Sequence, residues 1–343
     1  MIDDYINKSP TATIFDSLVK AKSVLASHHN ILVSVSGGAD SDCMIDIVHN
    51  LSPKDEEHKI TYVWYDTGVE LDATKRQLNY IEDKYGIEIL KRRAKVTVPA
   101  AIAKVGYPFF SKENSDRISR LQHHDFDWDK GTIEELQNEF HNCKGALSWW
   151  CGTKGRFTVS KVMREYIHEN PPDFPISDKC CYYAKKKPSA DMEKELKADL
   201  VCLGIRRAEG GVRASISQCF NSKQDTNKAD KYYPCFWWTD EDRAAFEQIY
   251  NIVHSDAYTI YGFKRTGCAG CPFNSRFEEE VEILHKYEPK LASAVEHIFA
   301  PSYEYTRAYR KFKESRKKKH DIVLYGLCKR EKEMEKGEQH GRG

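Results

Sequence analysis

The stretch Asn30-Ile31-Leu32-Val33-Ser34-Val35-Ser36-Gly37-Gly38-Ala39-Asp40-Ser41 decides the fold, because an apolar run passes through two glycines into a helical pattern. Residues 30–35 have the composition of a buried strand, and residues 43–51 have the spacing of a helix. The glycines allow close approach of the backbone, and the amides at the positive end of a helix dipole attract phosphate. The stretch predicts a phosphate-binding loop to which the serine hydroxyls also donate, with a purely structural turn as the alternative.

Strands and helices alternate on both sides of this loop. Such alternation predicts an α/β fold with a parallel sheet, whose ligands bind beyond the carboxyl ends of the strands. Two further turns fall at such ends, Asp66-Thr67-Gly68 and Gly204 to Glu209. The other predicted elements are a helix over 13–26, strands over 60–65 and 87–90 with a helix over 73–85 between them, a helix over 154–168, and a strand over 198–203.

The sequence predicts three parts along the chain. Residues 1–275 form the sheet domain, within which the polar, aromatic-dotted stretch 109–145 is an insertion or lid. Residues 276–330 form a helical, basic, cysteine-containing C-terminal portion. The charged stretch 331–343 is predicted to be disordered, because it contains little that could build a core.

The composition excludes several classes of protein. The 343 residues include 53 Lys and Arg against 52 Asp and Glu, so the net charge of +1 argues against self-repulsive disorder and against a global attraction to nucleic acid. Acidic residues follow Met1 where a signal peptide carries basic ones, and no stretch approaches the roughly 18 apolar residues of a membrane span. We therefore expect a cytoplasmic protein without a membrane partner.

Eleven cysteines in a reducing compartment are expected to be metal ligands, reactive thiols or packing residues rather than a disulfide framework. The close pairs are Cys180 with Cys181 and Cys268 with Cys271. Adjacent residues have Cα atoms about 3.8 Å apart and diverging side chains, so two such thiolates on one tetrahedral Zn²⁺ would be strained. A [4Fe–4S] cube offers each thiolate its own iron and is favoured for these four residues, with zinc as the alternative.

Basic residues stand close to these motifs. Lys185 begins a run of three lysines after the first cysteine pair, and Arg206, Arg207 and Arg213 follow the strand over 198–203. Their charge predicts contacts with a phosphate or sulfate group, with a solvated basic loop as the alternative.

Two of these motifs resemble those of known families. Ser36-Gly37-Gly38-Ala39-Asp40-Ser41 resembles the PP-loop of the adenine nucleotide α-hydrolases, which is a Rossmann-like superfamily. The tandem Cys180-Cys181 with the distant Cys268-Ala269-Gly270-Cys271-Pro272 resembles the cluster motif of the phosphoadenosine phosphosulfate (PAPS) reductase family. Further matches in family order extend the resemblance over about residues 30–275: Trp150-Cys151, Gly204 to Glu209 with Arg213, and Tyr233-Pro234 to Trp238-Thr239.

The resemblance implies a bound adenine nucleotide, either ATP or adenylylated sulfate. Asp40 would help to hold Mg²⁺ with the pyrophosphate, since this ion prefers carboxylate and phosphate oxygens. The implied nucleotide-binding residues are Ser36, Gly37, Gly38, Asp40 and Ser41 of the loop, with Asp66, Thr67 and Gly68 of the next strand end close by.

Two reactions are implied, and they use different residues. In a reductase of this family, a cysteine near the C-terminus attacks the sulfur of the adenylylated sulfate, and thioredoxin or glutaredoxin then frees sulfite. That cysteine normally lies in Glu-Cys-Gly-(Leu/Ile)-His, a pentad that this chain lacks. Cys328 is the candidate near the C-terminus, and the neighbouring Lys329 and Arg330 favour its thiolate.

The intact loop favours the other reaction. Relatives that keep Ser-Gly-Gly-x-Asp-Ser whole cleave ATP: the acceptor is adenylated, pyrophosphate leaves, and sulfur from a sulfur-donor protein displaces AMP. We favour this ATP-dependent sulfur transfer over reductive cleavage, with a catalytically idle nucleotide-sensing subunit as a third hypothesis. Residues 307–319 hold eight basic residues and one acid, which predicts a nucleic-acid acceptor or a solvated helix face. The oligomeric state does not follow from the sequence.

Overall fold

The computed structural model describes residues 2–128, 143–152, 158–223 and 228–340, without the side chains of Val212 and of residues 318–340. The chain forms two compact units. The first contains Met1–Lys104, Lys179–Cys271 and Arg276–Ile298, and the second contains Val105–Asp178, Pro272–Ser275 and Phe299–Gly343. Most of the stretch predicted as an insertion or lid therefore belongs to the second unit, although residues 129–142 lie outside the described part.

The first unit is built on a six-stranded sheet with the order β3-β2-β1-β4-β6-β5. All neighbouring strands are parallel except β5 and β6, which are antiparallel. The predicted α/β fold with a parallel sheet is confirmed. The strands are β1 (Asn30–Val35), β2 (Lys59–Asp66), β3 (Ile89–Arg93), β4 (Leu200–Leu203), β5 (Phe220–Asn221) and β6 (Asp230–Tyr232).

Both faces of the sheet are buried, which explains the continuous apolar run of β1. Ile31, Val33 and Val35 belong to a core that also contains residues of the helices α2 (Ala12–Ala26) and α3 (Ala39–Leu51). Leu32 between them belongs to a separate core with Val63, Val201 and Met192. Because successive side chains of a strand point to opposite faces, a strand covered on both sides must be apolar throughout.

Three of the helices before the cysteine pair begin at a capping side chain. Thr11 accepts a hydrogen bond from the amide of Ile14 at the start of α2, and Ser160 does the same for Met163 at the start of α8. Gly86 ends α4 in the left-handed conformation. These helices are α1 (Ile2–Asn7), α2 (Ala12–Ala26), α3 (Ala39–Leu51), α4 (Asp72–Tyr85), α5 (Val98–Val105), α6 (Lys112–Gln122), α7 (Lys144–Cys151) and α8 (Lys161–Glu169).

The later helices include a short π-helical turn, Tyr182–Lys186, directly after the cysteine pair. Two 3₁₀ turns, Arg207–Glu209 and Gly211–Ser215, follow β4. The backbone of residues 331–340, for which the sequence predicts disorder, continues the last helix. The remaining helices are α9 (Lys187–Glu195), α10 (Asp240–Ile249), α11 (Asp256–Thr259), α12 (Phe277–Tyr287) and α13 (Pro289–His340). Within the described residues, none of the helices combines the length and the apolar character needed to cross a membrane.

Candidate functional site

The predicted phosphate loop lies between β1 and α3, at the carboxyl end of the sheet. Gly37 has a φ of +67°, which strains any other residue, and a Cβ there would lie 2.7 Å from the Cγ2 of Thr74. The amide of Ser36 donates to the hydroxyl of Ser41, and the amide of Gly38 donates to the hydroxyl of Ser36. Gly38 caps α3 without a side chain. Two amides of the loop are thus bonded to hydroxyls of the loop itself.

Gly204, at the end of β4, packs against the first turn of α3. A Cβ at this position would lie 2.7 Å from the amide nitrogen and 2.8 Å from the Cα of Ser41. Both atoms belong to backbone, which cannot move aside as a flexible side chain does. The glycine is therefore required for close packing between β4 and the phosphate loop.

Replacing Gly204 by alanine is expected to lower the free energy of unfolding by about 1–3 kcal/mol, because the added methyl group overlaps this backbone. Chemical denaturation measures the change. Gly267→Ala is the matched control, since a Cβ at Gly267 meets no atom within 4 Å. Equal stability of the two variants would contradict the close packing of β4 on the loop.

A pocket of about 180 Å³ opens over the phosphate loop, entirely within the first unit. Its lining contains five cationic side chains and two carboxylates, so the pocket is strongly positive. The cations are Arg206, Arg213, Arg243, Lys264 and Arg265, the carboxylates are Asp40 and Glu209, and the other lining residues are Ser36, Gly38, Ala39, Ser41, Gly204, Tyr258 and Thr266.

Arg206 is the most buried of these cations, with a side chain only 4% exposed. Its Nε donates to Asp40 Oδ1 at 2.6 Å, and its Nη2 donates to Asp240 at 2.9 Å. Burial lowers the pKa of Arg206, but the two carboxylates more than offset this and raise it. Arg243 also reaches Asp40, at 3.3 Å. Asp40 is thus paired with two arginines of the pocket.

The cations crowd one another on the other side of the pocket. Burial lowers the pKa of Arg213, Asp40 raises it, and the charges of Arg265 and Arg206 lower it further. The net shift of this pKa is downward and burial is its largest cause, while an ion pair joins Arg213 to Glu209. A bound anion would relieve this repulsion.

The hydroxyl of Tyr258 connects the two halves of the lining. It accepts hydrogen bonds from the amides of Ala39 and Thr266, at 3.2 Å each. This contact holds Lys264 and Arg265 at the edge of the phosphate loop. These two cations and Arg243 are not among the residues predicted from the sequence. A basic run just before Cys268 was the available signal for the first two, whereas no local pattern marks Arg243.

Six of the predicted nucleotide contacts are absent from the described lining of the pocket: Gly37, Asp66, Thr67, Gly68, Lys185 and Arg207. The guanidinium of Arg207 stands 5.6 Å from the ring centre of Trp237, and this residue is absent from the described lining of the pocket. Asp66 accepts a hydrogen bond from the amide of Gly68 at 2.8 Å, which shapes the turn after β2. Thr67 in the same turn is buried and points toward the cysteine site.

The structure brings together the two cysteine pairs predicted from the sequence. A hydrogen bond with Cys181 raises the pKa of Cys180, and burial together with the charges of Cys181, Cys271 and Cys268 raises it further. All four residues belong to the first unit. The residue after Cys268, Ala269, donates its amide hydrogen to the carbonyl of Val69 at 2.8 Å. This hydrogen bond holds Cys268 close to the turn that follows β2.

Lys185 faces this group of cysteines. The charge of Cys268 raises the pKa of Lys185, burial lowers it, and Glu70 raises it again. The hydroxyl of Thr67 donates to Glu70 at 2.6 Å and lies 3.6 Å from the sulfur of Cys268. Lys185 thus provides a positive charge beside the thiols. Among the described residues, no three His, Cys, Asp or Glu side chains are placed so that together they could hold a single metal ion.

The other predicted functional residues lie in the second unit. Cys151 ends α7, and burial raises the pKa of its thiol while Arg164 lowers it. Cys328 lies on α13, but its side chain is outside the described part. Within the basic stretch 307–319, Arg316 pairs with Glu165 and Glu169, and Arg310 donates to the carbonyl of Ser275. Part of this charge is therefore compensated within the unit.

The sheet order, the glycine loop at the start of α3 and the cationic pocket above it define a PP-loop α/β protein. More particularly, the chain belongs to the PAPS reductase family: the model of the phosphoadenosine phosphosulfate reductase domain matches residues 30–126 and 153–274. Members of this family are enzymes that bind adenine nucleotide substrates. Membership therefore supports an enzymatic function for this chain without specifying the reaction.

Individual proteins are more distant from this chain. An uncharacterized 37.8 kDa protein in the gpa 5′ region of Escherichia phage 186 is 24% identical over 285 residues, which cover 77% of this chain and 73% of that protein. PAPS reductase from Candida auris, solved as a phosphate complex, is 13% identical with a TM-score of 0.40, covering 77% of this chain and 93% of that one. The U34-tRNA thiolase NcsA from Methanococcus maripaludis, solved with its [4Fe–4S] cluster, is 13% identical with a TM-score of 0.39, covering 88% and 80%.

Proposed function

We propose that the phosphate-loop pocket binds ATP through its phosphates and promotes its cleavage to AMP and pyrophosphate. The acceptor is adenylated as pyrophosphate leaves, and sulfur then displaces AMP. The observation that supports this proposal is the charge of the pocket, five cations against two carboxylates at the amino end of α3. A polyphosphate supplies the negative charge that such a lining lacks.

Asp40 is the proposed Mg²⁺ ligand of the bound nucleotide. Its carboxylate lies in the lining of the pocket and is 11% exposed, within contact of Arg206 and Arg243. Binding requires the phosphates to take over part of the charge of these arginines, so that Asp40 can turn to the metal. A carboxylate together with phosphate oxygens is the ligand set that Mg²⁺ prefers.

The four cysteines are the proposed ligands of a [4Fe–4S] cluster, with zinc as the alternative. The chemistry of the donors fits, since four thiols that shift one another's ionisation lie beside the positive Lys185. When bound, such a cluster supplies a Lewis-acidic metal surface for sulfur chemistry. Lys185 compensates thiolate charge, and Thr67 holds Glu70 in place next to it.

Product analysis tests the proposed reaction. Purified protein is incubated anaerobically with ATP, Mg²⁺, a sulfide donor and RNA as the acceptor to be adenylated, and nucleotides are separated by chromatography. Formation of AMP with pyrophosphate is expected. In a parallel reaction, adenylylated sulfate and thioredoxin replace ATP, and sulfite is measured.

The Cys328→Ser variant separates the two reactions. It is expected to leave AMP formation unchanged within about twofold, because ATP cleavage uses the pocket and no C-terminal thiol. If the wild type released sulfite and this variant did not, the reductase reaction would be established instead. Nucleotide binding without either product would favour the sensing subunit and contradict the proposal.

A further inference from the structure

A half-buried histidine connects two carboxylates behind the phosphate pocket. Nδ1 of His254 lies 2.9 Å from Asp42 in the first turn of α3, and its Nε2 lies 2.9 Å from Glu247 on α10. The side chain of His254 is 14% exposed and that of Asp42 only 3%. Burial lowers the pKa of His254, but the two carboxylates raise it to about 9, so the imidazole is charged at neutral pH.

The contacts continue from Glu247 back to the phosphate loop. Glu247 lies 3.0 Å from the Nε of Arg243, one turn earlier on α10. Arg243 in turn lies 3.3 Å from Asp40 and lines the pocket. Asp40 and Asp42 are both in the first turn of α3. These ion pairs therefore lead from Asp42 through three residues to Asp40. Because both aspartates lie on the same helical turn, the ion pairs form a closed ring.

This ring is costly for the fold. Asp42 is buried, which raises the pKa of its carboxylate to about 6 against the lowering effect of His254. Its Oδ1 has no hydrogen-bond partner among the described residues. The same holds for Nε2 of His254, Oε1 of Glu247 and Nε of Arg243, which meet as ion pairs without hydrogen-bond geometry. Buried ion pairs seldom add net stability compared with apolar packing, so such a group is more readily explained by what it positions than by what it stabilises.

We propose that His254 is a positioning residue that holds Arg243 in the phosphate pocket through Glu247. His254 fixes Glu247 by its attachment to Asp42, and Glu247 then restricts the guanidinium of Arg243 to the side of the pocket next to Asp40. The arginine is thus oriented before the phosphates arrive, which reduces the cost of ordering a long side chain on binding. This inference rests on the proposed function, because it requires that the pocket take phosphates.

A double-mutant cycle measured with pyrophosphate tests the inference. Titration calorimetry gives the dissociation constants of the wild type, His254→Gln, Arg243→Met and the double variant. Glutamine can still bond to Asp42 but lacks the charge that holds Glu247. His254→Gln is expected to weaken pyrophosphate binding about tenfold, or about 1.4 kcal/mol. In the Arg243→Met background, the same change is expected to alter the affinity by less than twofold, because its effect passes through the arginine.

His28→Gln is the matched control, because its imidazole is 12% exposed and paired with Asp230 at 3.4 Å, outside the pocket. It should bind pyrophosphate like the wild type. Glu247→Gln provides a second route should His254→Gln not fold, and it is expected to weaken binding to a similar degree.

The outcomes separate the inference from the proposed function. A wild type that binds neither pyrophosphate nor ATP contradicts both. If the wild type binds but His254→Gln and Glu247→Gln retain full affinity, or if the effects of His254 and Arg243 simply add, the positioning role is wrong while the phosphate site stands. A purely structural histidine would lower the free energy of unfolding without changing the affinity of the folded protein.

Discussion

Replacing Cys268 by serine is expected to abolish loading of the proposed [4Fe–4S] cluster, which is the largest effect that we expect of a single substitution. Cys268 lies beside Lys185 and Thr67, and its charge acts on Cys180. A serine hydroxyl does not replace a thiolate as a ligand of an iron–sulfur cluster, and three ligands hold a cluster weakly. The variant and the wild type are purified anaerobically and compared by iron and sulfide analysis and by the visible absorption spectrum. About four irons per chain are expected in the wild type and fewer than one in the variant.

Cys151→Ser serves as the control for this experiment. Its thiol is half-buried next to Arg164 and belongs to the second unit. Iron content equal to that of the wild type is expected. Such a result would show that iron is lost only when a cysteine of the proposed ligand set is removed. One equivalent of zinc without iron in the wild type would contradict the cluster and leave a structural metal site. Undiminished iron in Cys268→Ser would remove this cysteine from the ligand set.

The phosphate loop could be predicted because every signal for it is local. Strand, glycines and helix follow one another within about twenty residues, and the conformation at Gly37 depends on no distant partner. The parallel sheet was predictable for the same reason, since the apolar run of β1 already shows burial on two faces. Proximity of the four cysteines was predicted from the spacing within the two pairs and from ligand chemistry, and the family resemblance supported it across the 86 residues between Cys181 and Cys268.

Other parts of the pocket, Arg243 above all, could not be predicted from the sequence. Arg243 is one charged residue in an ordinary amphipathic helix, and its place in the pocket depends on how α10 packs against α3. Adjacent arginines illustrate the same limit: Arg206 enters the pocket, while Arg207 turns to the ring of Trp237. Their sequence context is nearly identical, and only the direction of the chain at the start of the 3₁₀ turn separates them. Likewise, the π-helical turn after Cys181 has no sequence pattern that predicts it.

The contrast between these two arginines also provides the second large prediction. Arg206→Met is expected to weaken ATP binding about 100-fold, or about 2.7 kcal/mol. It removes a buried cation from the lining and leaves Asp40 with only the longer contact to Arg243. Loss of the buried pair also lowers the free energy of unfolding by about 3 kcal/mol. Calorimetric titration with ATP and chemical denaturation measure the two effects.

Arg207→Met is the matched control at the adjacent position. It removes the same charge from the chain, but Arg207 is exposed and contacts the ring of Trp237, an interaction worth about 0.5–1 kcal/mol at such a site. ATP affinity within about threefold of the wild type is expected. If both variants lost affinity equally, ATP would respond to the overall positive charge of the region and not to the buried guanidinium. If Arg206→Lys bound ATP as tightly as the wild type, a point charge at this position would suffice. We expect incomplete rescue, because an ammonium group cannot reach Asp40 and Asp240 with the planar geometry of a guanidinium.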